Sequence, residues 1–96
     1  MSVEYSGRVG IRVKYLGPTN YRGSRWRVWR SDDTYANDPD AITVSYDHAL
    51  GTGGPNAVAA VQQYLARKDE GWDGRWIIAG AGDSEYIAVW GGNDHA

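Results

Sequence analysis

Apolar residues in this chain recur with a period of two in its strand-like runs and with a helical period in one stretch only. That pattern restricts the fold to a sheet carrying a single helix. Residues 8–16 alternate cleanly from position 11 onward, where Ile11, Val13 and Tyr15 fall on one side and Arg12 and Lys14 on the other, the mark of a half-buried strand. Gly17-Pro18-Thr19-Asn20 ends this strand, because proline cannot continue a ladder and glycine and asparagine suit turns. Arg25–Arg30 repeats the alternation, with Trp26 and Val28 on one face and Arg25, Arg27 and Trp29 on the other. The two strands are expected to pair as an antiparallel hairpin.

A third strand runs over Ala41–Tyr46, where Ile42, Val44 and Tyr46 alternate with Thr43 and Ser45. The helical stripe is Ala57, Val58, Val61, Tyr64 and Leu65. Pro55 or Asn56 is expected to open that helix, Arg67 and Lys68 to suit its C-terminal dipole, and Gly71 to close it. Arg75–Ala79 and Glu85–Trp90 supply two more strands, joined through a Gly80–Ser84 hairpin connection. The order β-β-β-α-β-β predicts an α+β fold, a mainly antiparallel five-stranded sheet with one helix packed on it.

Ninety-six residues are enough for one domain, 1–96, with a core that buries roughly 60–65% of the unfolded surface; residues 1–6 and 91–96 are expected to be flexible. With no cysteine, disulfides and Cys-based zinc sites are excluded. No apolar run reaches the length of a membrane-spanning helix. The opening Met1-Ser2-Val3-Glu4-Tyr5-Ser6 lacks the basic-then-apolar layout of a signal peptide, so a soluble, cytoplasmic protein is expected. Every aromatic residue is Trp or Tyr, and there are only three Leu and five Ile, so Trp and Tyr must help fill the core. Tyr15, Trp26, Tyr46 and Tyr64 are the expected core members, which leaves Tyr21, Trp29 and Tyr35 as contact residues.

The net charge of -2 conceals a division. Residues 1–30 carry seven Arg and Lys against Glu4, a local net of +6, while residues 31–96 carry Arg67, Lys68 and Arg75 against eleven acids, a local net of -8. Segregation of this kind points to a charged binding face. The expected partner-binding residues are Lys14, Tyr21, Arg22, Arg25, Arg27, Trp29 and Arg30 on the basic hairpin. Arginine with Trp and Tyr is the composition of protein hot spots, and also of single-stranded nucleic-acid surfaces, where cations track phosphates and rings stack bases.

The polar stretch 31–40 is expected to be a solvated acidic loop or an acidic contact surface, through Asp32, Asp33, Tyr35, Asp38 and Asp40. It lacks the EF-hand ligand order, so no metal is expected. Gly51-Thr52-Gly53-Gly54 precedes the helix without the Gly-Lys-Ser/Thr ending of a phosphate loop and without dinucleotide spacing; a flexible connection is expected there. His48 follows Asp47 at a strand end, where adjacent side chains diverge, and no nucleophile elbow or metalloprotease motif is present. No enzyme activity and no cofactor are expected.

The run Lys14-Tyr15-Leu16-Gly17, followed by Thr19 and Arg22-Gly23-Ser24-Arg25, resembles the opening of small accessory proteins encoded by phages, prophages and plasmids. Val44-Ser45-Tyr46-Asp47-His48-Ala49-Leu50 and the closing stretch from Gly80 to Trp90 are similar to two further segments of that group. The resemblance implies a mobile-element accessory protein of the counter-defence kind, which includes anti-CRISPR inhibitors, and it implies no catalytic residue. The expected function is therefore to bind and block a host defence protein or nucleoprotein complex. The alternative is a small module binding single-stranded nucleic acid through the basic hairpin. No membrane partner is expected, and a homodimer is open through an edge strand such as residues 85–90.

Overall fold

The computed structural model describes residues 3, 8–51, 53–68, 72 and 74–91. Strands β1 (Ile11–Leu16), β2 (Arg25–Arg30) and β3 (Ile42–Ser45) precede helix α1 (Gly53–Leu65), and β4 (Trp76–Gly82) and β5 (Glu85–Trp90) follow it. A short 3-10 turn, His48–Leu50, lies between β3 and α1. The expected α+β order is the observed one. All four strand pairings are antiparallel, and the sheet runs β3-β2-β1-β5-β4.

The alternation in β1 and β2 becomes burial. Ile11, Val13 and Val28 are fully buried and Trp26 nearly so, on the face that α1 covers. Among the described residues, four of the nine buried apolar ones come from α1: Ala57, Ala60, Val61 and Tyr64. Val58, expected in the buried stripe, stands 42% exposed, because Ala60 occupies the inward position of that turn. Tyr15 and Tyr46 are half-buried and packed against the core, as expected of them.

Strand order corrects one expectation. Residues 85–90 are interior, paired with β1 on one side and β4 on the other, so they offer no free edge. β1, with Ile11 and Val13 fully buried, needs a hydrogen-bonded neighbour on both sides; β2 is one and β5 supplies the second, placing Ala88 opposite Ile11 and Tyr86 opposite Val13. The free edges are β3 and β4.

Three local expectations are also corrected. α1 begins at Gly53, so the two glycines are its first residues rather than a loop, and Pro55 sits in the first turn, where a missing N–H costs nothing. Asn56 does not open the helix but is buried inside it. β4 continues to Gly82 through a register shift between Gly80 and Gly82, so the turn is Asp83-Ser84, with Gly82 at φ 133° and Ser84 at φ 60°. The terminal segments expected to be flexible lie outside the described residues, apart from Val3 and Gly91, and so does Gly71. Gly91 donates its N–H to the Arg75 carbonyl at 2.6 Å.

Aromatic groups close the core at both ends of α1. Near its start Tyr15, Trp26, Tyr46 and Tyr86 are in ring contact, with centroids 5.2–5.9 Å apart. The buried Trp26 indole N–H has no acceptor among the described residues. Past its end Tyr64, Trp72 and Trp76 pack in series, Trp72 and Trp76 stacked at 5.8 Å.

Candidate functional site

One face of the sheet packs on α1 and the other is open. The pairings line up Arg12 with Trp29, Lys14 with Arg27 and Leu16 with Arg25 on the open face, and continue to Thr43 and Ser45 on β3 and to Glu85 and Ile87 on β5. Four cations, Arg12, Lys14, Arg25 and Arg27, therefore share this face with a single strand carboxylate, Glu85. Arg12 approaches Glu85 at 3.5 Å in a half-exposed pair. The segregation of charge along the chain has become segregation on a surface.

The basic surface is not uniform. The Arg27 guanidinium lies 4.8 Å from the Tyr35 ring centroid, Trp29 meets the same ring edge-on at 6.2 Å, and the Tyr35 hydroxyl is hydrogen-bonded to the Thr43 hydroxyl at 2.6 Å. Trp29 and Tyr35 are thus half-buried against one another, with their faces partly used. Tyr21 is different, 96% exposed in the β1–β2 loop. That loop is folded by Thr19, whose hydroxyl accepts from the N–H groups of Tyr21 and Arg22 while its own N–H donates to the Arg22 carbonyl at 2.7 Å.

At the β2 start and β3 end, Arg22, Arg25 and His48 surround a depression of about 450 Å³ with the hydroxyl residues Ser24, Thr43 and Ser45. Tyr15 donates to the Ser24 hydroxyl at 2.8 Å, and Tyr46 contacts the His48 ring at 5.0 Å. Two guanidinium groups, an imidazole and three hydroxyls form a recess suited to an anionic group such as a carboxylate or phosphate.

Arg30 is corrected out of the binding set. It shares the helix-side parity of Trp26 and Val28, forks onto Asp32 at 3.1 and 2.9 Å, and lies over Trp72. The bond to Asp32 raises its affinity for a proton despite the opposing effect of burial. The parity of β2 carried this signal in the sequence.

The acidic loop is corrected in larger part. Asp38 is 5% exposed and accepts from the Tyr64 hydroxyl at 2.6 Å and from the N–H groups of Arg30 and Asp40, each at 2.9 Å. Burial pushes its carboxyl up, but these hydrogen bonds and the Lys68 charge outweigh that and hold it below the usual carboxylate range. Asp40 accepts from Lys68 at 2.9 Å, and Lys68 itself is largely buried. Asp38 and Asp40 are therefore structural, because the eleven-residue loop between β2 and β3 has backbone donors that something must satisfy. Asp33 is exposed and accepts from the Thr34 N–H; Asp32 is engaged with Arg30.

Asp47 and His48 differ from the strand-end expectation too. Asp47 caps the 3-10 turn, its carboxylate accepting from the Ala49 N–H at 2.9 Å. Among the described residues no three His, Cys, Asp or Glu side chains group as a metal site, and no helix is long and apolar enough to cross a membrane. Arg12, Ser24, Thr43, Ser45 and His48 belong to this surface but not to the partner-binding set expected from the sequence. Strand parity could have placed Arg12, Thr43 and Ser45 on the Lys14 and Arg25 face; nothing local marked Ser24 or His48. No protein-family model, curated protein or solved structure matches the chain.

Proposed function

We propose that this chain is a non-enzymatic binding protein that covers an anionic surface of a larger protein or nucleoprotein complex. The observation that carries this reading is the open sheet face, where Arg12, Lys14, Arg25 and Arg27 stand against Glu85 and border the Arg22–Arg25–His48 recess. The resemblance to mobile-element accessory proteins supports a host defence complex as the partner, in the bacterial cytoplasm. A protein partner is favoured over single-stranded nucleic acid by the ring geometry. Arg27 and Trp29 already occupy Tyr35, so among the described residues of the basic hairpin and its loop Tyr21 is the one fully exposed ring, too few to stack successive bases.

Affinity purification of the tagged protein from its natural host, beside an Arg22→Glu/Arg25→Glu double variant, tests the reading. The wild-type chain is expected to retain a partner that the variant loses. An unchanged partner set would remove the basic face from the function. Fluorescence anisotropy with a labelled dT oligonucleotide across a salt series tests the alternative; tight binding that weakens steeply with salt would replace a protein partner by nucleic acid.

A further inference from the structure

β3 is an edge strand, and its free edge runs between two concavities. The Tyr46 N–H donates to the Ser24 carbonyl at 3.0 Å, which fixes the hydrogen-bonding parity of the β2–β3 pair: Tyr46, Val44 and Ile42 turn their backbone groups towards β2. Thr43, Ser45 and Asp47 must then turn theirs outward. At Asp47 the outward groups are already met. Its N–H donates to Asn56 Oδ1 at 2.8 Å and its carbonyl accepts from Asn56 Nδ2 at 3.1 Å. The buried carboxamide presents the donor–acceptor pair that a neighbouring strand would present. Thr43 and Ser45 are next in the same row.

On the open-face side of this edge lies the Arg22–Arg25–His48 recess. On the helix side, Val44, Leu50, Ala59 and Gln63 line a groove of about 670 Å³ between β3 and α1 together with Asp47 and His48; His48 borders both concavities, whereas Arg22 and Arg25 border only the first. A strand laid along β3 would send alternate side chains into these two different environments.

We infer that β3 takes up an extended, acidic peptide segment of the partner by strand addition, bonding to Thr43 and Ser45. Acidic side chains of the segment meet Arg22, Arg25 and His48, and its alternate, small apolar side chains enter the groove beside Val44 and Ala59. Charge complementarity selects the occupant, since a basic or neutral strand would leave the two guanidinium groups unmatched. The inference rests on the protein-partner reading, and it adds the conformation, polarity pattern and backbone register of what is bound. Addition is antiparallel, as in every pairing of this sheet. Residues opposite Thr43 and Ser45 then share their face, so the acidic residues are the ones whose N–H groups point at β3.

The probe is a fluorescein-labelled acetyl-Val-Glu-Val-Glu-Val-Glu-Val-amide, measured by anisotropy against the full chain. N-methylation of the central Glu residues is expected to weaken binding at least tenfold, whereas N-methylation of the Val residues changes it less than threefold. Ser45→Pro removes an outward N–H without touching the β2 ladder and is expected to cost a similar tenfold at an unchanged melting temperature. In Arg22→Glu/Arg25→Glu the preference is expected to invert towards the Val-Lys counterpart. Any other methylation pattern, or peptide binding indifferent to both methylated forms, overturns strand addition. If the double variant still loses its cellular partner in that case, the basic-face reading stands while strand addition fails. A dT oligonucleotide that binds where the peptide does not would overturn both.

Discussion

The Tyr64 hydroxyl donates to Asp38 Oδ2 at 2.6 Å, joining α1 to the loop that leaves β2. The same oxygen accepts the Arg30 N–H, and Asp38 Oδ1 accepts that of Asp40. One carboxylate thus fixes the end of β2, the loop and the helix together. Tyr64→Phe removes a single donor from a buried charge and is expected to cost about 1–3 kcal/mol in chemical denaturation. Asp38→Ala leaves three donors short and is expected to cost more. The double variant is expected to fall short of the sum, because the two residues share one network.

The same pair sets the pH response. Asp38 is held below the ordinary carboxylate value in the folded protein, so its contribution is present above the unfolded value of about 3.9 and is lost as pH falls through the lower folded value. Tyr64 is displaced upward, by burial first and by its bond to Asp38 second. Its contribution is present below the unfolded value of about 10 and is lost as pH rises beyond it. Denaturation midpoints are expected to be level between these limits and to fall on both sides. Asp38→Asn should flatten the acid limb, and Tyr64→Phe the alkaline limb.

Lys68 extends this assembly. Its ammonium donates to Asp40 at 2.9 Å and lies 4.8 Å from the Tyr64 ring centroid and 4.7 Å from that of Trp72, with the side chain 7% exposed. Lys68→Met keeps the stem and removes the charge; the expected cost is about 1–2 kcal/mol, from the desolvated cation–π contacts and the half-buried Asp40. Arg12→Met, at the half-exposed pair with Glu85, is expected to cost under about 1 kcal/mol and to lose even that in added salt. Equal costs would show that the ring box contributes nothing beyond a surface ion pair.

The strands were legible because alternation is a local property, and β2 and β5 keep the bounds their side chains predict. Strand order was not, since nothing within Glu85–Trp90 says that β1 lacks a second neighbour. The basic face was half legible. Parity separates Arg25 and Arg27 from Arg30, whereas reading by charge alone places all three together. Asp38 was hidden for a different reason: its burial depends on Tyr64, twenty-six residues away, and a polar loop carries no periodic mark of one inward residue.

Asn56 illustrates the same difficulty within a helix. It is 3% exposed, and both ends of its carboxamide bond to the backbone of Asp47. Asn56→Leu keeps the branched shape, though with a bulkier end, and strands an N–H and a carbonyl, with an expected cost of about 2–4 kcal/mol for the two groups. Asn56→Asp retains the acceptor for the Asp47 N–H but opposes the carbonyl with an oxygen, and is expected to be similarly damaging. Hydrogen exchange at the Asp47 amide reports the bond directly. Unchanged protection in Asn56→Leu would mean that the turn holds itself without the side chain.

Gly53 gives a prediction whose sign opposes intrinsic helix propensity. In a helix interior Gly→Ala stabilises by about 1 kcal/mol, and at a first residue such as Gly53 by less. Here a Cβ on Gly53 would lie 2.6 Å from the Tyr86 hydroxyl oxygen and 3.7 Å from the Trp26 ring. Tyr86 is in ring contact with Trp26, and a phenol ring is rigid, so the hydroxyl cannot withdraw without disturbing that aromatic end of the core. Gly53→Ala is therefore expected to lower the melting temperature, by a net loss of about 1–2 kcal/mol. Tyr86→Phe removes the atom in conflict. In that background the same Gly53→Ala change is expected to become neutral or stabilising, as propensity alone would have it. A stabilising Gly53→Ala in the wild-type chain, or an equal loss in both backgrounds, would show that the Tyr86 hydroxyl does not set the approach of α1 to the sheet.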